Sequence, residues 1–202
     1  MDNLHLVTGF LGREHITAAD QGAFNAALIG TGQFVLDKGK VFETQVISNN
    51  LVRVLDGELM TQGRFVRLAP NEYADLAIEN GEKGLKRNDL IAVRYTKDVL
   101  SGIESVNLVV IKGEAVEGEP VDPAITEGDI TNGESILHEF PLWRIPIDGL
   151  NVGEPVCLFT VAEGTVMTLR NEVGSLRAEV ANLSALIGSI EATLDTINGE
   201  VI

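Results

Sequence analysis

The chain of 202 residues carries a net charge of −15 at pH 7, and 45% of its residues are hydrophobic. The hydrophobic content excludes general disorder, and the acidic balance argues against a nucleic-acid partner, because phosphate binding needs concentrated lysine and arginine. One cysteine, Cys157, excludes an internal disulfide framework and a cysteine-rich zinc site, and we expect it to be a small buried hydrophobe. Without a leader-like or long apolar segment, neither signal-peptide export nor membrane insertion is expected.

The first predicted element is a helix over residues 18–29, the one helix expected within a β-rich region of residues 1–160. Thr17 and Asp20 match a capping box, and Phe24 and Leu28 share one face. Gly30 can supply a left-handed stop at the C-terminal end. We expect this helix to cover one end or side of a sheet.

Short segments rich in β-branched residues then predict an antiparallel sheet. They occupy residues 41–48, 51–55, 64–68, 90–95 and 106–112, with a final β section at residues 142–147 and 156–160. Asp56-Gly57 and Gln62-Gly63 predict two tight hairpins. Three arginines alternate with apolar residues and indicate one solvated face rather than an anion-binding patch: Arg53, Arg64 and Arg67.

Residues 113–139 form the most acidic stretch, with eight acids and no lysine or arginine. Its prolines and glycines predict a long exposed loop, which charge repulsion keeps extended. A calcium site is the alternative reading, because calcium takes oxygen ligands. Its ligands would be Glu114, Glu117, Glu119 and Asp122, but their spacing matches no EF-hand loop, and a solvated loop is favoured.

A heptad pattern occupies the C-terminal region, residues 161–202, and predicts a coiled coil that makes the chain an oligomer, a tether or a fibre. Its apolar positions are Val166, Leu169, Val173, Leu176, Val180, Leu183, Ile187, Ile190, Leu194, Ile197 and Val201. The alternative is an amphipathic helix packed on its own domain, but such a helix usually follows a 3.6 period with a broader stripe. The predicted fold is therefore mainly β, an antiparallel domain with one short N-terminal helix followed by a parallel coiled coil.

The residues at the a and d positions of the heptads, which we call the seam, also bear on the number of helices in the coiled coil. Valine at a and leucine at d in the first half suit a parallel dimer, whereas Ile187 with Ile190, and Leu194 with Ile197, favour trimers or tetramers. No asparagine stands at an a position to enforce two strands, and Leu186 at g widens the stripe. We therefore predict a parallel homotrimer, in which Glu172 at g can reach Arg177 at e of a neighbour.

Catalytic motifs are absent from the sequence: it contains no GxSxG, GxGxxG, P-loop or HExxH pattern. The histidines, His5, His15 and His138, are scattered. His15 follows Glu14, but nothing places it beside Ser48 or Asp20, so a surface or capping role is favoured for it over acid–base catalysis. Trp143 could stack on a sugar, but its place in an apolar strand favours core packing. We expect no enzymatic activity, cofactor or metal.

Several segments resemble structural proteins encoded in the tail modules of bacteriophages and prophages of Gram-positive hosts. They are His15 to Ala27 with Gly30-Thr31-Gly32, Val46 to Leu68, Lys86 to Ile91, Leu108 to Gly113 and Pro141 to Pro146. The resemblance covers residues 1 to about 160. It implies a baseplate or tail-fibre component of the virion, assembled in the host cytoplasm, whose β domain docks on other tail proteins while the coil projects outward. It offers no catalytic residues.

The sequence departs from a complete fibre because no receptor-binding head follows the predicted coil, so we expect an adaptor or stem role rather than receptor binding. Two other classes stay open. A carbohydrate-binding module trimerised for avidity would have the same organisation, although a count of one tryptophan and two tyrosines argues against a broad sugar platform. A depolymerase with paired carboxylates is the third, which isolated acids in a sequence cannot identify.

Overall fold

The computed structural model describes residues 16–132, 135–162 and 166–199. The protein is mainly β, with 44% strand in two curled sheets and two helices among the described residues. The chain divides into two compact units, Met1–Ala162 and Glu163–Ile202. The mainly β prediction is therefore confirmed, as is the presence of one helix near the start and one at the end of the described chain.

Helix α1 (Ala18–Ile29) has the predicted bounds and the predicted cap. The Asp20 amide donates to Thr17 Oγ1 at 3.1 Å, and the Thr17 amide donates to Asp20 Oδ2 at 2.9 Å. Gly30 ends the helix with a positive φ of 92°, although its ψ of 164° is extended rather than left-handed helical. These contacts satisfy two of the amides that a helix start leaves without partners.

The face on which α1 packs differs from the apolar face suggested by the sequence. The buried residues of the helix are Gly22 and Ala26, whereas Phe24 and Leu28 are exposed. Arg64 occupies the space beside Gly22, where an added Cβ would lie 1.9 Å from its Nη1 atom. The helix thus lies on the β domain through its smallest residues, because a guanidinium fills the place that larger side chains would need.

The first sheet contains β1 (Gln33–Gly39), β2 (Thr44–Ser48), β3 (Leu51–Thr61), β4 (Arg64–Ala77) and β10 (Val161–Ala162). Strand β3 is central: it pairs antiparallel with β4 along one edge and with β1 and β2 along the other. Strand β10 adds to β1 in parallel. The strand β1 and the second half of β4 were not predicted.

The hairpin predicted at Gln62-Gly63 is confirmed. Both residues have positive φ, 46° and 79°, as the two central positions of a type I′ turn require. The hairpin predicted at Asp56-Gly57 is wrong, because both residues lie inside β3 at a shift in its register with β4. The Asp56 carbonyl instead accepts from the amides of Lys40 and Phe42, at 3.0 and 3.2 Å.

Gly57 is needed at this irregularity because the buried ring of Phe42 packs against its backbone. A Cβ at Gly57 would lie 2.6 Å from Phe42 Cδ2 and 2.7 Å from the Phe42 nitrogen. We expect Gly57→Ala to lower the free energy of unfolding by about 2 kcal/mol, as overpacking of a core does. Urea unfolding followed by the fluorescence of Trp143, the single tryptophan, measures this loss.

The matched control is Gly118→Ala, since no atom lies within 4 Å of a Cβ added at Gly118. Its free energy of unfolding should equal that of the wild type or exceed it slightly. Equal stabilities for the two alanine variants would contradict the close packing of Phe42 on Gly57.

The second sheet contains β5 (Lys86–Lys97), β6 (Glu104–Ile111), β7 (Leu137–Asp148), β8 (Asn151–Val152) and β9 (Val156–Cys157). Strand β5 pairs antiparallel with β6 and β7, and the short strands β8 and β9 pair with β7. Both sheets contribute to one core. Its buried side chains are Val35, Phe42, Val52, Val54, Leu59, Ile78, Ile91, Val93, Phe140, Leu142, Ile145 and Ile147.

The acidic segment is not the freely exposed loop that its composition predicted. Its last residues, 137–139, belong to β7, and Gly113, Gly128 and Ile130 are buried. Val116 exchanges two backbone hydrogen bonds with Lys86, at 2.7 and 2.8 Å. We call residues 113–132 the acidic strap. The strap lies against the β domain because Arg144 of β7 neutralises Asp122 within the strap, and Arg94 of β5 neutralises Glu139 just after it.

Two expectations about single side chains are also wrong. Cys157 is exposed rather than buried, since it lies on the short edge strand β9. Arg64 does not belong to a solvated face: its side chain is 11% exposed and forms a bidentate pair with Glu104 at 2.9 and 3.0 Å. Arg53 and Arg67 are more exposed and pair with Asp75 and Glu58.

Helix α2 (Val166–Gly199) is 34 residues long and is the longest element of the described chain. None of the helices described here is long and apolar enough to cross a membrane. A helix of this length measures about 50 Å at 1.5 Å per residue.

Candidate oligomerisation interface

The heptad positions of α2 form a continuous apolar stripe because residues three and four apart share a helix face. The structure places nine of the eleven predicted seam residues on this helix with described side chains: Leu169, Val173, Leu176, Val180, Leu183, Ile187, Ile190, Leu194 and Ile197. Val166 opens the helix, but its side chain lies outside the described residues, as does the whole of Val201. Whether the stripe joins several chains stays a prediction.

All nine side chains are exposed, by 46% for Val173 to 61% for Val180. Leu186, at the flanking g position, is exposed to a similar degree. Completing the burial of such side chains stabilises an assembly by about 1 kcal/mol each, so one helix can contribute on the order of 10 kcal/mol before the entropy of association is subtracted. A long exposed apolar stripe of this kind marks an interaction surface.

Two hydroxyl groups beside the stripe can be covered without loss of hydrogen bonds. The Ser184 hydroxyl donates to the Val180 carbonyl at 2.9 Å, and the Thr193 hydroxyl donates to the Ser189 carbonyl at 2.8 Å. These two residues occupy e and g positions, directly beside the seam. Because their hydroxyls already have partners within the helix, close approach of another helix leaves no orphaned donor.

The glycines of α2 lie away from the stripe. Gly174 and Gly188 occupy b positions and Gly199 an f position, and a Cβ at any of them would meet no atom within 4 Å. Each lowers the intrinsic stability of the helix by roughly 1 kcal/mol. A single helix with this composition is marginal in water, so its stability depends on packing along the apolar face.

Several charged side chains of the β domain form ion pairs that join different elements. Arg144 Nε donates to Asp122 Oδ1 at 2.6 Å, and Asn88 Nδ2 donates to the same oxygen at 2.9 Å. The Arg144 guanidinium holds the pKa of the Asp122 carboxyl below its usual range, and Arg64 lowers the pKa of Glu104 in the same way. These carboxylates stay ionised and tie elements together.

The calcium reading of the acidic segment finds no support in this geometry. Asp122 is occupied by Arg144 and Asn88, and Glu114, Glu117 and Glu119 are spread along the exposed side of the strap. Among the described residues, no group of three or more His, Cys, Asp or Glu side chains is arranged to hold a metal ion.

Trp143 packs as the apolar strand predicted. Its indole Nε1 donates to the Phe42 carbonyl at 2.9 Å, and its ring meets Phe159 edge to face at 5.6 Å between centroids. Its ring therefore contributes to the core between the sheets.

His138 is the polar residue whose role the sequence did not indicate. It is buried in β7, and its imidazole lies between Gln33 and Gly128. Gln33 is 105 positions away in the sequence, so no local pattern marks this contact. His5 and His15, the other two histidines, lie outside the described residues.

No protein-family model matches this chain, and no curated protein is significantly similar to it. Function is therefore inferred from the residues of the chain itself.

Proposed function

We propose that this protein is a non-enzymatic structural subunit of a bacteriophage tail, a homotrimeric tail-fibre or baseplate adaptor whose C-terminal helix forms a parallel coiled-coil stem. The observation that carries this proposal is the continuous, exposed heptad stripe of α2. Three copies of the helix bury this stripe on one another. The β unit then provides the surfaces that attach to other tail or baseplate proteins.

The choice of three helices follows from the residues in the C-terminal half of the seam. Ile187 and Ile190 place isoleucine at consecutive a and d positions, and Leu194 with Ile197 place leucine at a and isoleucine at d. Both combinations fit the side-chain packing of trimers and tetramers better than that of dimers. Parallel chains also bring Glu172 of one helix near Arg177 of the next, which opposes a slip in register.

The assignment to a phage tail depends on the resemblance of segments within residues 1–160 to tail-module proteins of Gram-positive hosts. The partners are further copies of this chain and other tail proteins, and the protein resides in the virion after assembly in the host cytoplasm. The acidic surface is consistent with protein partners, since a net charge of −15 repels nucleic acid.

Light scattering during size-exclusion chromatography tests the stem directly. We expect the full chain to have the mass of a trimer, three times 21.7 kDa, and a version that ends at Ala162 to have the mass of a monomer. The reason is that the truncation removes the entire apolar stripe. Circular dichroism should show that the shortened protein keeps its β signal while the helical signal falls.

A full-length monomer at micromolar concentration would contradict both the coiled coil and the stem. A trimer that persists after truncation would move the interface to the β unit. The phage assignment has a separate test, which is detection of the protein by mass spectrometry in purified tail particles after prophage induction.

A further inference from the structure

The buried His138 connects both sheets to the acidic strap. The ring lies on β7 of the second sheet and is 2% exposed. Its Nε2 atom lies 2.9 Å from Gln33 Oε1 on β1 of the first sheet. Its Nδ1 atom lies 3.2 Å from the amide nitrogen of Gly128 in the strap. One imidazole thus connects β7 to β1, 105 positions away in the sequence, and to the strap, ten positions away.

The protonation state of His138 follows from these partners. A backbone N–H can only donate, so Nδ1 must accept the hydrogen bond from Gly128. The ring proton is therefore on Nε2, where it donates to the side-chain oxygen of Gln33. This arrangement requires a neutral imidazole, because a proton on Nδ1 would face the Gly128 N–H.

The strap residues next to His138 are held by side chains from both sheets. Gln62, in the turn between β3 and β4, donates to the Gly128 carbonyl at 2.7 Å and accepts from the Ile130 amide at 2.9 Å. Glu139, on β7, accepts from the Thr126 amide at 2.8 Å. Residues 126–131 are therefore attached mainly by polar contacts, with the buried Ile130 as their apolar anchor.

A polar cavity of about 670 Å³ lies at this junction and includes Gln33, Gln62, Gly128 and His138 in its lining. The strap forms one wall of it, through residues 127–129 and 131–132. Movement of residues 126–131 would therefore enlarge this cavity without breaking the strand pairs of either sheet.

Burial and the nearby carboxylates shift the pKa of His138 in opposite directions. Burial lowers the pKa of His138 below the ordinary histidine value, while Glu127 and Glu139 raise it by a smaller amount. Glu139 is already paired with Arg94, and Tyr95 lies opposite His138 on β5. The remaining charged neighbours are each bound to another group: Asp129 to Asn132, and Arg64 to Glu104.

We propose that His138 is an acid-operated latch, whose second proton enters at Nδ1, removes the acceptor of the Gly128 amide and releases residues 126–131 from the two sheets. The sheets themselves stay folded, because their ladders and shared apolar core do not involve the imidazole. Histidine is the side chain whose charge changes most readily between pH 5 and 8. This device is independent of the number of chains in the assembly.

The direction of the pH effect follows from linkage. The closed form holds a pKa below the ordinary value of about 6.5, whereas the ring exposed by opening returns toward that value. The open form therefore binds more protons in this interval. The closed form is fully favoured above about pH 6.5 and is lost as the pH falls through the pKa of the closed state. Between the pKa values of the closed and open forms, the equilibrium constant for opening should rise about tenfold for each unit by which the pH falls.

Two measurements on the full chain test the latch between pH 7.5 and 4.5. Nitrogen-15 NMR should show the Nε2-protonated neutral ring at high pH and give the pKa of His138. Hydrogen exchange, corrected for the intrinsic pH dependence, should show that protection at Gly128 and Ile130 falls about tenfold per pH unit from pH 6.5 down to the pKa of the closed form, and then levels off. Amides in β3 and β5 should keep their protection.

Two variants isolate the histidine responsible. His138→Asn, whose Oδ1 can replace Nδ1 as acceptor, should remove the pH dependence at Gly128. The double variant His5→Asn/His15→Asn should keep it, since it changes the other two histidines of the chain. An Nδ1-protonated ring at pH 7.5, a pKa at or above 6.5, no titration by pH 4.5, or simultaneous loss of protection in β3 and β5 would each overturn the latch.

Discussion

Replacement of Ile190 by aspartate is expected to dissociate the proposed trimer and leave the β unit folded. Ile190 occupies a d position near the middle of the C-terminal seam, where trimerisation would enclose three copies of the side chain. Three carboxylates in that space would lose hydration without gaining partners, at a cost of several kcal/mol per chain. We expect a monomeric mass by light scattering at micromolar concentration.

The far-ultraviolet circular dichroism of Ile190→Asp should also lose most of its helical signal, because the isolated helix is marginal without its partners. The control is Ala192→Asp, which adds the same charge at an outward f position of the same helix turn. This variant should keep the mass of the wild type. If Ile190→Asp also kept it, the seam would not be the main interface.

The second large effect is expected at the buried ion pair of Arg87 and Asp89 on β5. Their side chains are 2% and 1% exposed, and Arg87 Nε donates to Asp89 Oδ1 at 2.9 Å. The same oxygen accepts from the Gly113 amide at 3.0 Å. Arg87 also donates to the carbonyls of Glu79 and Asn80. This pair therefore fixes β5, the start of the acidic strap and the connection after β4 to one another.

Asp89→Asn keeps the shape of the side chain but leaves the Arg87 charge buried without a counter-ion. We expect the free energy of unfolding of the β unit to fall by about 3–5 kcal/mol, the usual result of removing one partner from a buried pair. Urea unfolding at neutral pH, followed by Trp143 fluorescence and by circular dichroism, measures the loss.

An exposed ion pair between β5 and β7 supplies the control. Lys86 Nζ lies 3.4 Å from Asp148 Oδ2, with side chains 42% and 75% exposed. Lys86→Met should change the free energy of unfolding by less than about 1 kcal/mol, because surface pairs are hydrated and screened. Similar losses in Asp89→Asn and Lys86→Met would show that the burial of the first pair does not matter energetically.

The fold and the proposed interface differ in how far the sequence predicts them. Helix α1 was predicted with its bounds, since Thr17 and Asp20 are three residues apart and their contacts depend on local geometry alone. The turn at Gln62-Gly63 was predicted for the same reason. The Asp56-Gly57 pair has an equally strong turn signature, but Phe42, fifteen positions before Gly57, packs on that glycine and keeps the pair within a strand.

The acidic strap shows the same limit in its electrostatics. Composition predicted an extended, self-repelling loop, and the exposed acids Glu114, Glu117 and Glu119 agree with that description. Asp122 does not, because Arg144 of β7 lies beside it in the folded chain. Net charge along a segment reports repulsion within that segment but not the bases that other strands bring to it.

By itself, the sequence determined the mainly β character, the capped helix α1 and the position of the heptad stripe, because each depends on residues within a few positions of one another. Only the tertiary structure decided the partners of the buried charges, the irregularity in β3 and the place of His138 between the two sheets. Apart from the Arg87–Asp89 pair, which lies within β5, those features depend mainly on contacts between different elements, such as Arg64 with Glu104 and His138 with Gln33. Such contacts follow from the packing of whole strands, to which no short stretch of sequence corresponds.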